Sequence, residues 1–176
     1  MESIRQACET SALANENICI FDPVKGQVVD ELGKLSVKKV LILEPGFKIN
    51  TIKLRMRQDY YRYLGENREL TSQAFKKLKY GIENDHMESI RQACETSALA
   101  NENIKNTPHL RDLIELAREC DYEFLNISHT RTALGIGLGE RTDIERLEYE
   151  IRNSEISKVY KRQYVKNIID GGLRRR

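Results

Sequence analysis

The chain has 176 residues, 40% of them apolar and 32% charged, with 29 Lys and Arg against 27 Asp and Glu and a formal net charge of +2. The apolar content excludes wholesale disorder, and the charged content excludes a bundle of membrane helices. The near-neutral balance removes any whole-molecule electrostatic case for nucleic acid or membrane, and the length suits one domain, residues 1–176, able to bury roughly 70% of its unfolded surface without a metal or disulfide staple.

At the amino terminus, Met1-Glu2-Ser3-Ile4-Arg5 leads into a polar, Ala-rich stretch with no apolar core of a signal peptide. No run approaches the roughly 20 apolar residues of a membrane helix. The cysteines, Cys8, Cys19, Cys94 and Cys120, are too sparse for a secreted disulfide framework. Reduced thiols and an intracellular location, cytoplasmic or nuclear, are the expectation.

Residues 1–18 and 87–104 carry the same eighteen letters, MESIRQACETSALANENI. Repeats that build solenoids drift at their surface positions, because packing restrains only the core. Identity at every position therefore points to a very recent duplication or an engineered one. His86-Met87, which a common cloning site encodes, favours engineering. Each copy reads as a helix, with Ile4, Ala7, Cys8 and Ala12, or Ile90, Ala93, Cys94 and Ala98, on one face. If one native slot exists for two copies, the duplicated helix is a conformational switch or a route to domain swapping.

Ile18 to Phe21 is a short strand closed by Asp22-Pro23 and Lys25-Gly26. Val37 to Glu44 is a second strand. Phe47 to Arg57 alternates with a slip at Asn50-Thr51, which predicts a bulged strand paired to its predecessor in a hairpin around Pro45-Gly46. Thr71 to Tyr80 reads as a helix stopped by Gly81. Thr107-Pro108 opens another, with Leu110, Leu113, Ile114 and Ala117 as its apolar stripe. Tyr122 to Ile127 looks like a strand.

Thr142 to Glu145 forms a capping box, and no Gly or Pro follows until Gly171. That predicts a long C-terminal helix, or two broken near Asn153-Ser154. The sum is an α+β fold with a small antiparallel sheet and about five helices.

Charge is segregated. Residues 47–79 carry nine Lys and Arg against three Asp and Glu, and residues 158–176 carry seven against Asp170 alone. On the predicted strand, Lys53, Arg55 and Arg57 share a face. Tyr60, Arg62 and Tyr63 follow, then Lys76 and Lys77 on the next helix. Cations at strand spacing can track phosphates while tyrosines stack on single-stranded bases, so these eight residues are the candidate nucleic-acid site, RNA more than DNA. A solvated sheet face flanked by core tyrosines is the competing interpretation.

Gly135-Ile136-Gly137-Leu138-Gly139-Glu140-Arg141-Thr142 reads as a glycine-rich loop entering a helix. Gly135, Gly137, Gly139, Arg141 and Thr142 are the candidate anion site, because a helix start offers amides to an anion. The spacing matches neither the dinucleotide fingerprint nor the phosphate loop. Ser128-His129-Thr130-Arg131 lies just upstream.

His86, His109 and His129 have no ligand spacing with one another or with the cysteines, and no acid-x-Lys nuclease motif accompanies Asp30, Glu31 and Glu44. No catalytic residue, metal or cofactor is expected. The sequence thus predicts a non-enzymatic nucleic-acid-binding module, with a protein-interaction or self-association module as the alternative. Nucleic acid or a second copy of the chain is the expected partner, and no membrane.

Overall fold

The structure, a computed structural model, describes residues 18–22, 25, 27–47, 50, 53–54, 56–127 and 133–168. In chain order its elements are β1 (Ile18–Asp22), β2 (Gln27–Gly33), β3 (Lys39–Glu44), α1 (Tyr60–Glu66), α2 (Arg68–Glu83), α3 (Met87–Ala100), α4 (Leu110–Glu119), β4 (Phe124–Ile127), β5 (Leu134–Leu138), α5 (Ile144–Asn153), α6 (Ile156–Val159) and β6 (Arg162–Asn167). The α+β class and the small antiparallel sheet are as the sequence predicts, with six helices among the described residues.

β1 and β2 pair as a two-stranded ribbon, and the other strands form a four-stranded antiparallel sheet in the order β4-β5-β3-β6. Two strands next to each other in space but far apart in sequence sit at its centre. This is the split β-α-β-β-α-β arrangement. Alternation along each strand sends Leu41 and Leu43 of β3, Leu125 of β4, and Leu134, Ile136 and Leu138 of β5 to one face. There they join the stripe of α4 and Leu147 and Ile151 of α5 in one buried cluster. Each fully buried leucine or isoleucine contributes about 1.5–3 kcal/mol, so this cluster carries most of the fold.

Three expectations need correction. There is no hairpin at Pro45-Gly46: β3 is a central strand, and β5 and β6 occupy its two edges. The Gly46 amide instead donates to the Val159 carbonyl at 2.9 Å, and Lys53-Leu54 lies in a helical turn. Second, Gly135 and Gly137 lie within β5 rather than in a loop. An added Cβ at Gly137 would come within 2.4 Å of the Phe124 ring, and one at Gly135 within 3.3 Å of Val40. These glycines serve close approach across the sheet.

Third, the C-terminal helical stretch breaks at Ser154, where the two-helix alternative puts the break, but beyond the short α6 it gives way to β6 instead of staying helical. Arg162 to Asn167 contains no breaker, yet the open edge of β3 takes it as a strand. Elsewhere, α2 begins before Thr71 and carries Gly81 in its interior.

Of the repeated segment, residues 1–17 lie outside the described residues. The second copy is α3 and its following turn, with Ser89, Ile90, Ala93, Glu95 and Ala98 buried along the helix. His86 is its N-cap: the Nδ1 accepts from the Ser89 amide at 3.3 Å and lies 2.9 Å from the Ser89 hydroxyl. The turn before it places Asp85 at φ 48° and closes with the His86 amide donating to the Gly81 carbonyl at 2.8 Å. Gly81 has no room for a side chain, since a Cβ would lie 2.7 Å from Ile90 Cγ1 and 3.0 Å from the Ile90 nitrogen.

Alanine normally stabilises a helix interior relative to glycine by about 1 kcal/mol. At Gly81 the sign reverses, because the obstruction includes backbone. Gly81→Ala is expected to destabilise the protein by about 1–3 kcal/mol in chemical denaturation, whereas Gly65→Ala, with nothing within 4 Å, should not.

Candidate functional site

A buried polar knot joins the repeated helix to the sheet layer. Glu95 is only 4% exposed, and its carboxylate accepts from Arg118 Nε at 3.0 Å, from the Arg118 Nη2 and from the Tyr122 hydroxyl. Arg91, one turn earlier on α3, donates to the Tyr122 carbonyl at 3.2 Å and lies over the Tyr122 ring. Thus α3, α4 and the approach to β4 are fastened by one carboxylate. Burial, and then the neighbouring Glu95, push the Tyr122 phenol well above its ordinary range, and burial does the same to Tyr160.

Beside this knot, α1, α2, α3, the turn after α3 and the end of β4 enclose a pocket of about 470 Å³. Its walls are largely aliphatic and aromatic, including Leu64, Phe75, Leu78 and Ile104. Tyr60, Thr71, Ser97, Asn101, Lys105, Thr107 and Asn126 interrupt them. Asn67 and Asn103 hold the two sides in register through amide contacts of 2.8 and 3.3 Å, and Arg57 donates to the Ile104 carbonyl at 3.0 Å. Cys94 also lines the pocket, and burial pushes its thiol up to about 11.

A second concavity, about 620 Å³ and more polar, lies between the start of β3 and the start of α5. Lys38, Lys39, Arg141 and Thr142 line it together with Glu123 and Glu140. Of the candidate anion residues, the fold brings Gly139, Arg141 and Thr142 here, while Gly135 and Gly137 lie along β5. The amides near the helix start are largely engaged. Gly139 N donates to Thr142 Oγ1 at 2.8 Å, Thr142 N to the Gly139 carbonyl, Asp143 N to the Cys120 carbonyl, and Arg146 N to the Asp143 cap at 3.0 Å. An anion in this cleft would meet side-chain cations rather than a ring of amides. Ser128 to Arg131 lies outside the described residues.

The basic residues proposed for nucleic acid do not form a strand face. Lys53 is exposed on a helical turn, and Arg55 lies outside the described residues. Arg57 pairs with Asp59 at 2.6 Å, and Arg62 lies 4.7 Å from the Tyr63 ring centre and 3.8 Å from Glu66. Tyr60 packs edge-on to Tyr61, Lys77 reaches Gln92, and Lys76 is exposed. Arg57, Tyr60, Arg62, Tyr63 and Lys77, on α1, α2 and the turn before them, are thus engaged with neighbours of their own.

No family model matches the chain. It is 24% identical over 141 residues to the L-threonine kinase of Salmonella typhimurium, an alignment covering 77% of this chain and 45% of that protein. The crystal structure of homoserine kinase from Cytophaga hutchinsonii superimposes with a TM-score of 0.48 at 12% identity, covering 81% of this chain and 46% of the other. The chain thus spans under half the length of the curated relative it matches. Similarity to a small-molecule kinase overturns the expectation of a non-enzymatic RNA-binding module. It equally overturns that of an engineered conformational switch; the second copy is a helix with Ile90 in one apolar cluster and Ala98 in the other.

Among the described residues no helix is long and apolar enough to cross a membrane, and no three His, Cys, Asp or Glu cluster in a metal-binding arrangement. Sequence reasoning missed the pocket beside α3, whose lining comes from separated segments. Among its described lining residues Lys105 is the one charged side chain, and nothing local in the sequence marks that lysine.

Two measurements check the electrostatics. Glu95 has 6% of its side chain exposed and Arg118 57%. Arg118→Met strands the buried carboxylate and should cost about 2–3 kcal/mol, below the about 3–5 kcal/mol of a fully buried pair. Glu95→Gln, which keeps the shape, should cost about 1–2 kcal/mol in the same denaturation assay. The raised phenols give the second. Their stabilisation is fully present below the unfolded tyrosine value of about 10 and is lost as pH rises beyond it, because the unfolded chain then releases protons that the fold retains. Urea titrations between neutral pH and pH ~11 should show stability falling, and Tyr160→Phe should flatten that fall.

Proposed function

We propose that this chain takes part in phosphoryl transfer to the hydroxyl of a small amino acid of the L-threonine kind. The observation that carries this is the 24% identity to an L-threonine kinase, sustained over 141 residues and 77% of the chain. In such a reaction the acceptor hydroxyl oxygen forms the new bond to phosphorus. The bond from that phosphorus to the nucleoside diphosphate breaks, and the hydroxyl proton leaves to a base or to water. Protein contributions are chiefly positioning and charge stabilisation.

Within the described residues the polar cleft suits the charged part of such a reaction. Lys38, Lys39 and Arg141 line it with the Thr142 side chain, and the adjacent carboxylates of Glu123 and Glu140 prevent an indiscriminately basic surface. Arg141 is in this proposal the principal phosphate contact, since its planar fork suits a phosphate geometrically. Gly139 and Thr142 act by shaping the turn that presents it.

The test is to incubate the protein with magnesium-ATP and L-threonine. ADP release that depends on threonine, with phosphothreonine detected by mass spectrometry, is the expected result. Arg141→Ala and Lys39→Ala should each slow turnover by about tenfold or more. Failure to form phosphothreonine, together with failure to bind ATP saturably, would overturn the kinase proposal. Full activity in both variants would remove the cleft from it.

A further inference from the structure

We propose that β6 pairs with β6 of a second copy of this chain, joining two four-stranded sheets edge to edge across a two-fold axis at Val165. At one end of the sheet α3 packs along β4. At the other end, among the described residues, no strand pairs with the outer side of β6. An uncovered edge is a row of backbone donors and acceptors open to another strand.

Which groups point outward follows from the ladder. The Ile168 amide donates to the Lys38 carbonyl at 2.8 Å, one step beyond the Lys39–Asn167 pair. Antiparallel pairs alternate between those that exchange hydrogen bonds and those that do not. Arg162, Tyr164 and Lys166 therefore bond to Glu44, Ile42 and Val40, while Gln163, Val165 and Asn167 turn their N–H and C=O groups to the free edge.

The side chains select a copy of the same strand. With the axis at Val165, that residue meets its own counterpart and Gln163 lies opposite Asn167 of the second copy, so every outward residue is paired. Gln163 Oε1 is buried without a hydrogen-bond partner among the described residues, and the facing Asn167 amide is a donor. On the other sheet face Lys166 lies opposite Tyr164 of the second copy, a cation beside a ring. An axis at Tyr164 would instead set Arg162 against Lys166 of the second copy and leave Asn167 outside the ladder. Like charges directly opposite are destabilising, so the Val165 axis is favoured.

Charged residues often blunt an edge strand. Here Arg162 lies 3.7 Å from Glu44, and Lys166 lies 5.5 Å from the Tyr164 ring of its own strand, so neither is an isolated charge. Two short strands bury less than the roughly 1,200–2,000 Å² of a stable interface, so the association is weak and reversible. It involves neither concavity and stands whether or not the chain transfers phosphoryl groups.

The test is sedimentation of the full chain without nucleotide, from micromolar concentrations to about 1 mM. The mass should rise from 20.4 kDa toward twice that value. In hydrogen exchange the Gln163, Val165 and Asn167 amides should gain protection with concentration, while those of Tyr164 and Lys166 are protected throughout. Val165→Pro removes an outward N–H that β3 does not use, and should weaken association at least tenfold, with a thermal melt showing that the variant folds. Lys166→Glu should weaken it as well, whereas an axis at Tyr164 would make that change strengthening.

A monomer at every concentration, outward amides that exchange equally fast in the dimer, undiminished association of Val165→Pro, or association of Lys166→Glu that is unchanged or stronger would each overturn the proposal. Should Val165→Pro fail to fold, the exchange pattern and Lys166→Glu still decide. None of those results bears on phosphothreonine formation, so the two proposals fail separately.

Discussion

A single buried carboxylate organises the packing on one side of this molecule. Glu95 points from α3 into a region where water is scarce, and two partners from different parts of the chain meet it there, Arg118 from α4 and Tyr122 from the approach to β4. An aliphatic residue at that position could bury surface against many neighbours in many orientations. A carboxylate with directional partners accepts very few, so it fixes the rotation of α3 about its axis. Once that rotation is set, Ile90 and Ala93 face inward, Ala98 reaches the sheet cluster, and Cys94 and Ser97 turn toward the pocket. The concavity depends on the knot without containing it.

Elements whose pattern is local were legible in the sequence. α4 and α5 have stripes that match the helical period, and β3 alternates cleanly. What failed depends on partners distant along the chain. Residues 47–57 alternate well enough to read as a strand, but both edges of β3 are taken by strands more than 80 residues away, so no edge remains for them. Arg162 to Asn167 has a composition that suits a helix and becomes a strand because β3 offers it an edge. Gly135 and Gly137 looked like a loop since glycine is rare inside strands, yet Phe124 and Val40 need the space above them. In each case tertiary context overrode a local preference.

The repeat illustrates the same point from inside the sequence. Counting forward from Glu95, Arg118 and Tyr122 stand 23 and 27 residues on; the same steps from Glu9 arrive at Leu32 and Ser36. An identical helix propensity therefore comes with different downstream chemistry. That offset was the available signal for which copy has partners suited to its carboxylate. Candidate site residues were less legible still. The pocket beside α3 gathers its lining from positions 54 to 127, and the polar cleft joins β3 to the start of α5. Of the cations singled out by charge density, Arg57 and Arg62 have ion-pair or ring partners close by instead.

The bare strip along β5 has a consequence for how the molecule comes apart. Because Gly137 carries no side chain, the Phe124 ring lies across it and also packs against the second apolar group formed by Leu32, Ile82 and Ile90. α3 spans the same divide, with Ile90 in that group and Ala98 in the sheet cluster. Opening either cluster alone would tear contacts from the other. The second apolar group is thus tied to β5 by one ring and to the sheet cluster by one helix, and amide protons of α3 and β5 should exchange in a common opening event, as a single foldon.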